Sequence, residues 1–146
     1  MAAPLPMSRR ELLALMPYAT ALGIVLDEAT PGLTRGWVDW APNRCTVDSA
    51  MHGGVLMSLA DSVGAVCAYL NVPVGAGTST VESKTNFFRA LREGRLHAAA
   101  RPLHVGRSFV VIQTDLADDH GRPVGQTTQT QAVIAPKAPP ADAPRA

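Results

Sequence analysis

The sixteen-residue run at positions 55–70, VLMSLADSVGAVCAYL, constrains this chain more than any other stretch. At helical spacing its apolar side chains cover nearly every face, and a helix that is apolar all round must be buried. Ser58, Ala60, Gly64, Ala65 and Ala68 are small enough to admit a sheet or a second helix at close range. Gly64 costs helix stability relative to alanine, so close packing is the reading that accounts for it. Pro73, Gly75 and Gly77 end the element. One residue conflicts with burial: Asp61 is the only charged side chain in the run. An unpaired carboxylate in a core is expensive. It needs a partner, with Ser58 and Ser62 as hydroxyl candidates, or a cleft at its side that gives it a function.

The rest of the chain predicts what surrounds this helix. Residues 1–7 read as a loose arm. Ser8 with Glu11 three positions later is a capping-box pattern. It opens a helix over residues 9 to about 21, with Leu12, Leu13, Leu15 and Met16 on its apolar side and Gly23 as its stop. Strand-like runs at 24–28 and 36–40 flank the turn signal Ala29-Thr30-Pro31-Gly32, so they predict a hairpin. Residues 42–51 form a polar loop. Four further strands are predicted at 79–88, 95–105, 108–117 and 124–134. The connections at 93–94, 105–106 and 118–123 are short, which favours antiparallel neighbours. Pro102 predicts a bulge or an edge in its strand. The last strand is polar on both faces, which predicts a solvated side, and residues 136–146 have the composition of a disordered tail. Helix, two strands, buried helix and four strands make an α+β chain. A long antiparallel sheet wrapped around one helix satisfies that order in a single domain over residues 8–135.

Composition removes several function classes. A length of 146 residues suits one domain. The net charge of +1 gives no pull towards nucleic acid or a membrane surface. Cys45 and Cys67 lack metal-ligand spacing, and Cys67 lies in the apolar run. The first residues, MAAPLPMSRRELL, lack a signal-peptide layout, and the apolar run is too short for a membrane span. These features predict a cytoplasmic chain with no metal. His97, His104 and His120 read as surface or packing residues. Trp37 and Trp40 fall on opposite strand faces.

His52-Gly53-Gly54 stands directly before the buried helix. The first N–H groups of a helix have no internal partner and carry the positive end of its dipole. Glycines there let a substrate approach the backbone. Such a terminus suits an oxygen that gains negative charge during attack on a carbonyl. Asp61 follows His52 by nine positions, which puts the two on opposite helix faces about 13 Å apart along the axis. They cannot meet around one carbonyl within one chain. If both act on one substrate, a second copy must supply one of them, which predicts a symmetric dimer with two composite sites.

The string AMHGGVLMSLADSVGAV resembles the segment from HGG to LAD of hotdog-fold acyl-CoA thioesterases, in particular the phenylacetate-degradation (PaaI-type) group. The likeness continues through TVESKTNFFRAL and HVGRSFVVIQTDLADDHGRPVGQTTQT and spans roughly residues 24–135. It implies the hotdog fold and hydrolysis of acyl-CoA or acyl-carrier-protein thioesters. It implies Asp61 as general base or nucleophile and the Gly53 N–H as the group that polarises the carbonyl. His52 would orient the loop or touch substrate, and Thr80 would assist near the carboxylate. Gly54, Arg89, Gly106, Arg107 and Ser108 would lie along the CoA path. Dimers, usually paired into tetramers, and no cofactor follow from the same resemblance. Related enzymes often carry Asn six positions before the His and Gly three before it, where this chain has Thr46 and Ser49. A non-catalytic acyl-CoA-sensing module on the same fold is the alternative reading. A hydratase fits less well, because the His it needs five positions after the Asp is Val66.

Overall fold

The computed structural model describes residues 7–138. The elements are α1 (Arg9–Ala14), α2 (Pro17–Leu22), β1 (Val25–Ala29), β2 (Thr34–Asp39), α3 (Gly53–Tyr69), β3 (Gly77–Phe87), β4 (Arg95–Val105), β5 (Phe109–Ala117) and β6 (Pro123–Ile134). The six strands form one antiparallel sheet in the order β1-β2-β4-β5-β6-β3, packed against α3. This is the hotdog arrangement. The arm expected at 1–7 and the tail expected at 136–146 lie for the most part outside the described residues.

Burial follows period two on the strands and leaves one helical stripe open. Leu96, Ala98 and Ala100 of β4 alternate inward, as do Val110, Ile112 and Leu116 of β5. They meet Leu56, Leu59, Val63 and Cys67 of α3, all buried. Each large aliphatic side chain so buried contributes roughly 1.5–3 kcal/mol. Ala98 and Ala100 are small, which lets the helix come close to the sheet. Contrary to the sequence expectation, α3 is not buried all round. Met57 and Asp61 are exposed, and Gly54, Ser58, Ala65 and Tyr69 along the same stripe are only half-buried.

The N-terminal helix differs from its prediction. The capping box forms, with the Glu11 N–H donating to Ser8 Oγ and the Ser8 N–H donating to the Glu11 carboxylate. The helix then breaks before Pro17, and α2 starts afresh with that proline at its first turn. Proline has no N–H to continue the ladder, and its ring opposes the preceding turn. Gly23 stops α2 in the left-handed region at φ 80°.

Strand order also departs from expectation at one connection. Residues 88–94 do not join neighbours, because β4 is flanked by β2 and β5 while β3 takes the far edge beside β6. The hairpin β1–β2 and the pairs β4–β5 and β5–β6 are neighbours as predicted. Pro102 sits at a register shift in β4. Trp40 packs against the core, and Trp37, on the outer face, lies 3.6 Å beneath the Arg95 guanidinium. No described helix is long and apolar enough to cross a membrane.

The loop before α3 is held by contacts and by strain. The Trp40 Nε1–H donates to Ser49 O at 2.9 Å, and the Arg92 Nε–H donates to Asp48 O at 3.1 Å. Asp48 and Ser49 are both left-handed, at φ 55° and 56°. That region costs an L-residue roughly 1–2 kcal/mol, whereas glycine adopts it freely. Ser49→Gly is therefore expected to stabilise the protein by about 0.5–1 kcal/mol after the added entropy of glycine in the unfolded chain. Urea denaturation checks this. A lower midpoint would mean that the serine side chain compensates its own backbone.

Candidate active site

Two groups of polar atoms lie along α3, one at its N-terminus and one halfway down. At the N-terminus His52 is the cap residue, and its Nδ1 accepts the Gly54 N–H at 2.8 Å. That bond fixes the neutral-ring tautomer with its proton on Nε2. The Val55 N–H donates to His52 O at 2.8 Å. The Gly53 N–H has no partner among the described residues. It stands at the positive end of a seventeen-residue helix. The Phe87 ring lies beside Gly53, where a Cβ would come within 3.2 Å of it. Gly53, Leu56, Phe87, Phe88 and Arg89 line a cleft of about 350 Å3. His52 and Gly54 face a different cleft, of about 490 Å3, beside Tyr18 and Arg44.

Halfway along α3, Asp61 is held from two strands. Thr80 Oγ1 donates to Asp61 Oδ1 at 3.0 Å, and Gln129 Nε2 donates to the same oxygen at 3.1 Å. Gln131 Nε2 in turn donates to Thr80 Oγ1 at 2.6 Å, which orients the threonine hydroxyl. Asp61 Oδ2 has no partner among the described residues. Ser58 and Ser62, the hydroxyl candidates, do not serve. Ser58 bonds to Gly54 O and Tyr18 Oη instead.

Gln129 and Gln131 were not singled out from the sequence. The polar stretch of β6 has the partly solvated side expected of it, at Gln126, Thr128 and Thr130, while Thr127, Gln129 and Gln131 on the other side are at most 1% exposed. The available signal was their spacing: polar residues at every second position of a strand next to an anomalous carboxylate. Gln129 comes so close to α3 that a Cβ at Gly64 would sit 2.0 Å from its Oε1. That oxygen is buried without a hydrogen-bond partner.

One chain brings Asp61 and Thr80 together but not the predicted site residues as a whole. β3 runs antiparallel to α3, with Phe87 beside Gly53 and Thr80 beside Asp61. Gly53 and Asp61 are eight residues apart, which is about 12 Å along the helix. Arg89 lies at the Gly53 end. Gly106, Arg107 and Ser108 form the β4–β5 turn, tied by the Val133 N–H to Ser108 O at 2.8 Å, at the opposite end of the sheet. His97 stands outside both groups, 2.6 Å from Asp119. Its hydrogen bond is the main cause that holds the Asp119 carboxyl below its usual range. Burial pushes the Cys67 thiol up, which makes it a core residue and a poor nucleophile. Among the described residues no three His, Cys, Asp or Glu side chains gather as a metal site.

A model of the thioesterase superfamily matches residues 49–124, from the loop before His52 to the start of β6. The chain belongs to that superfamily. It is similar to a 1,4-dihydroxy-2-naphthoyl-CoA hydrolase of Escherichia coli, 33% identical over 84 residues that span 58% of this chain and 62% of the relative. It is similar to a proofreading thioesterase of Cronobacter turicensis, 26% identical over 111 residues covering 71% and 81% of the two chains. The structure of a mutant thioesterase from Pseudomonas aeruginosa superposes with a TM-score of 0.82 at 27% identity, covering 88% of this chain and 95% of that one. The superfamily match contains Asp61, Thr80 and the HGG cap but ends before Gln129.

Replacing Gln129 by methionine keeps the volume and removes both the donor to Asp61 and the orphaned carbonyl. An unsatisfied buried polar group costs about 1–3 kcal/mol, so Gln129→Met is expected to hold or raise the urea midpoint. Gly64→Ala should lower stability by about 1–3 kcal/mol through overpacking. An unchanged midpoint in Gly64→Ala would mean that the amide swings clear of the helix.

Proposed function

We propose that this thioesterase-superfamily chain hydrolyses acyl-CoA thioesters, with Asp61 as general base or nucleophile. The observation that carries the reading is the carboxylate held on one oxygen by Thr80 and Gln129 with its other oxygen unengaged. A carboxylate so oriented can take a proton from water or attack the acyl carbon directly. By either route one water is consumed, the C–S bond breaks, and a free acid and the CoA thiol leave. The unpartnered Gly53 N–H would receive the oxyanion, in the place where a helix dipole favours it. The name of the Escherichia coli relative, a CoA-thioester hydrolase, supports CoA as the leaving group.

The same reading needs two copies of the chain. β1 is a short edge with a register irregularity, and Arg9 Nη1 donates to Asp27 O along it. β3 is an eleven-residue edge with no such cover among the described residues, and it exposes Val81 and Phe87. A long open edge is a template for pairing. Two β3 edges paired antiparallel about a two-fold near Ser83 would set Phe87 opposite the partner subunit's Ser79. Gly53 of one copy would then face the partner subunit's Asp61 and Thr80. Arg89 and the partner's 106–108 turn would share the CoA path. Two such dimers would make a tetramer.

Asp61→Asn and Gly53→Pro remove the two halves separately. Proline is tolerated at the first helical position, and His52 at ψ 135° already has the conformation a proline demands before it. Gly53→Pro therefore deletes one N–H with little cost to the helix backbone, while its ring requires the Phe87 side chain, 3.2 Å from the new Cβ, to give way. Turnover of acyl-CoAs should fall about 10²–10³-fold or more in each variant. Mixing the two, unfolding and refolding together, should restore up to about a quarter of the wild-type rate, because half the dimers are mixed and each has one intact site. Full activity in Asp61→Asn would sink the mechanism. No recovery on mixing, with both variants folded and dimeric, would sink the shared site. Tight acyl-CoA binding without thiol release from any thioester would favour a sensing module.

A further inference from the structure

A thioester carbonyl joins two unlike arms: a long, polar, anionic CoA and an acyl group. The clefts beside the site differ in the same sense. The cleft over Gly53 has Arg89 in its wall. A second cleft, of about 230 Å3, opens between the end of α1, the second half of α3 and the start of β3. Leu12, Leu15 and Met16 form one wall, Ala65 and Tyr69 the other, and Thr78 the rim, and no charged residue lines it. The break before Pro17 places Leu15 and Met16 at this opening instead of in a continuous helix.

The cleft opens one helical turn from Asp61. Ala65 is four residues further along α3, so it lies one turn on along the same stripe, with the two Cβ atoms about 5–6 Å apart. Thr78 is two residues before Thr80, on the same face of the strand. Thr80 itself donates to Asp61 at 3.0 Å. A group leaving the carboxylate along α3 towards its C-terminus enters this cleft first.

We propose that this cleft is the acyl pocket, and that it takes a compact apolar acyl group no bulkier than a substituted aromatic ring. The proposal rests on the thioesterase reading and names its substrate class. A cavity of about 150 Å3 holds a benzene molecule. At about 230 Å3 the cleft has room for a ring with a short linker or substituent, or an aliphatic chain of similar bulk, and a long fatty tail would run out of it into solvent. Leu15 is 60% exposed in the free chain, and an acyl group would cover it. Leu15 and Ala65 are thus the specificity-determining residues: one closes the pocket and the other sets its depth.

The test compares wild type with Ala65→Leu, which fills the cleft, and Leu15→Ala, which opens it from the solvent side. kcat/KM is measured on acetyl-, benzoyl-, octanoyl- and palmitoyl-CoA. Binding of the hydrolysis-inert thioethers S-benzyl- and S-octyl-CoA is measured against free CoA, and mass is followed by light scattering. Wild type should prefer benzoyl- or octanoyl-CoA over palmitoyl-CoA. Ala65→Leu should penalise the ring-sized substrates at least tenfold more than acetyl-CoA, since one methylene in a filled pocket is worth roughly 10–200-fold. Leu15→Ala should shift the preference towards palmitoyl-CoA. The proposal is overturned if Ala65→Leu lowers all substrates alike, if palmitoyl-CoA is the best substrate of wild type, or if Ala65→Leu changes the oligomeric mass, which would make the cleft an interface between copies. If no thioester is hydrolysed, the thioesterase reading fails and the thioethers decide the pocket. Binding that gains from the benzyl group and loses that gain in Ala65→Leu supports it, and affinity equal to that of free CoA overturns it.

Discussion

The approach of α3 to β6 at Gly64 decides where the rest of the site can stand. Gln129 reaches the helix only because position 64 has no side chain. One turn earlier on the helix, the same amide meets Asp61. Moving the helix outward by the width of a methyl group would break that bond and the one from Thr80 together. Close packing and carboxylate orientation are therefore one constraint. Native interiors are dense enough to transmit such a constraint without slack.

Sheet topology sets how far this local arrangement lies from the helix cap. Because β3 lies beside β6 and antiparallel to α3, the helix cap and the carboxylate sit at opposite ends of one groove. The other edge of the sheet is short and contacted by Arg9, which leaves β3 the longer and less covered edge among the described residues. The exposed stripe on α3 runs along that same side. A two-fold axis along the open edge is the simplest operation that brings a helix terminus of one copy to a carboxylate of another. The separation between the two groups within one chain is what the proposed shared site would require.

Much of this was legible in the sequence because it is local. The capping box at Ser8, the stop at Gly23, the hairpin around Pro31 and the alternation of β5 depend on neighbouring residues, and they appear where the pattern puts them. Asp61 announced itself as the one charge in an apolar run. The distance between His52 and Asp61 followed from helix geometry alone. The misses share a cause: they depend on residues remote in sequence. Gln129 is sixty-eight positions from Asp61, and a strand polar on both faces does not say which of them turns towards the helix. The order of β3 and β4 could not be read from a short connection, because a curled sheet lets seven residues reach a strand that is not adjacent. The open stripe on α3 was hidden because Met57 and Ala65 look like core residues whichever way they face.

Several unfavourable features stand near the candidate site: an orphaned amide oxygen on Gln129 against α3, two left-handed non-glycine residues just before the helix cap, and exposed Phe87, Met57 and Leu15. Others lie elsewhere, among them the orphaned Thr114 hydroxyl on β5 and exposed Val74, Leu103 and Phe109. Folding alone would favour an apolar residue at 129, glycine at 49 and a polar one at 57. A sequence under selection only for stability loses such features readily, since each replacement is small and independent. The orphan on Gln129 and the strained pair at 48–49 differ from the rest in standing directly beside the carboxylate and the helix cap, where the proposed site would give up fold stability for the placement of those groups.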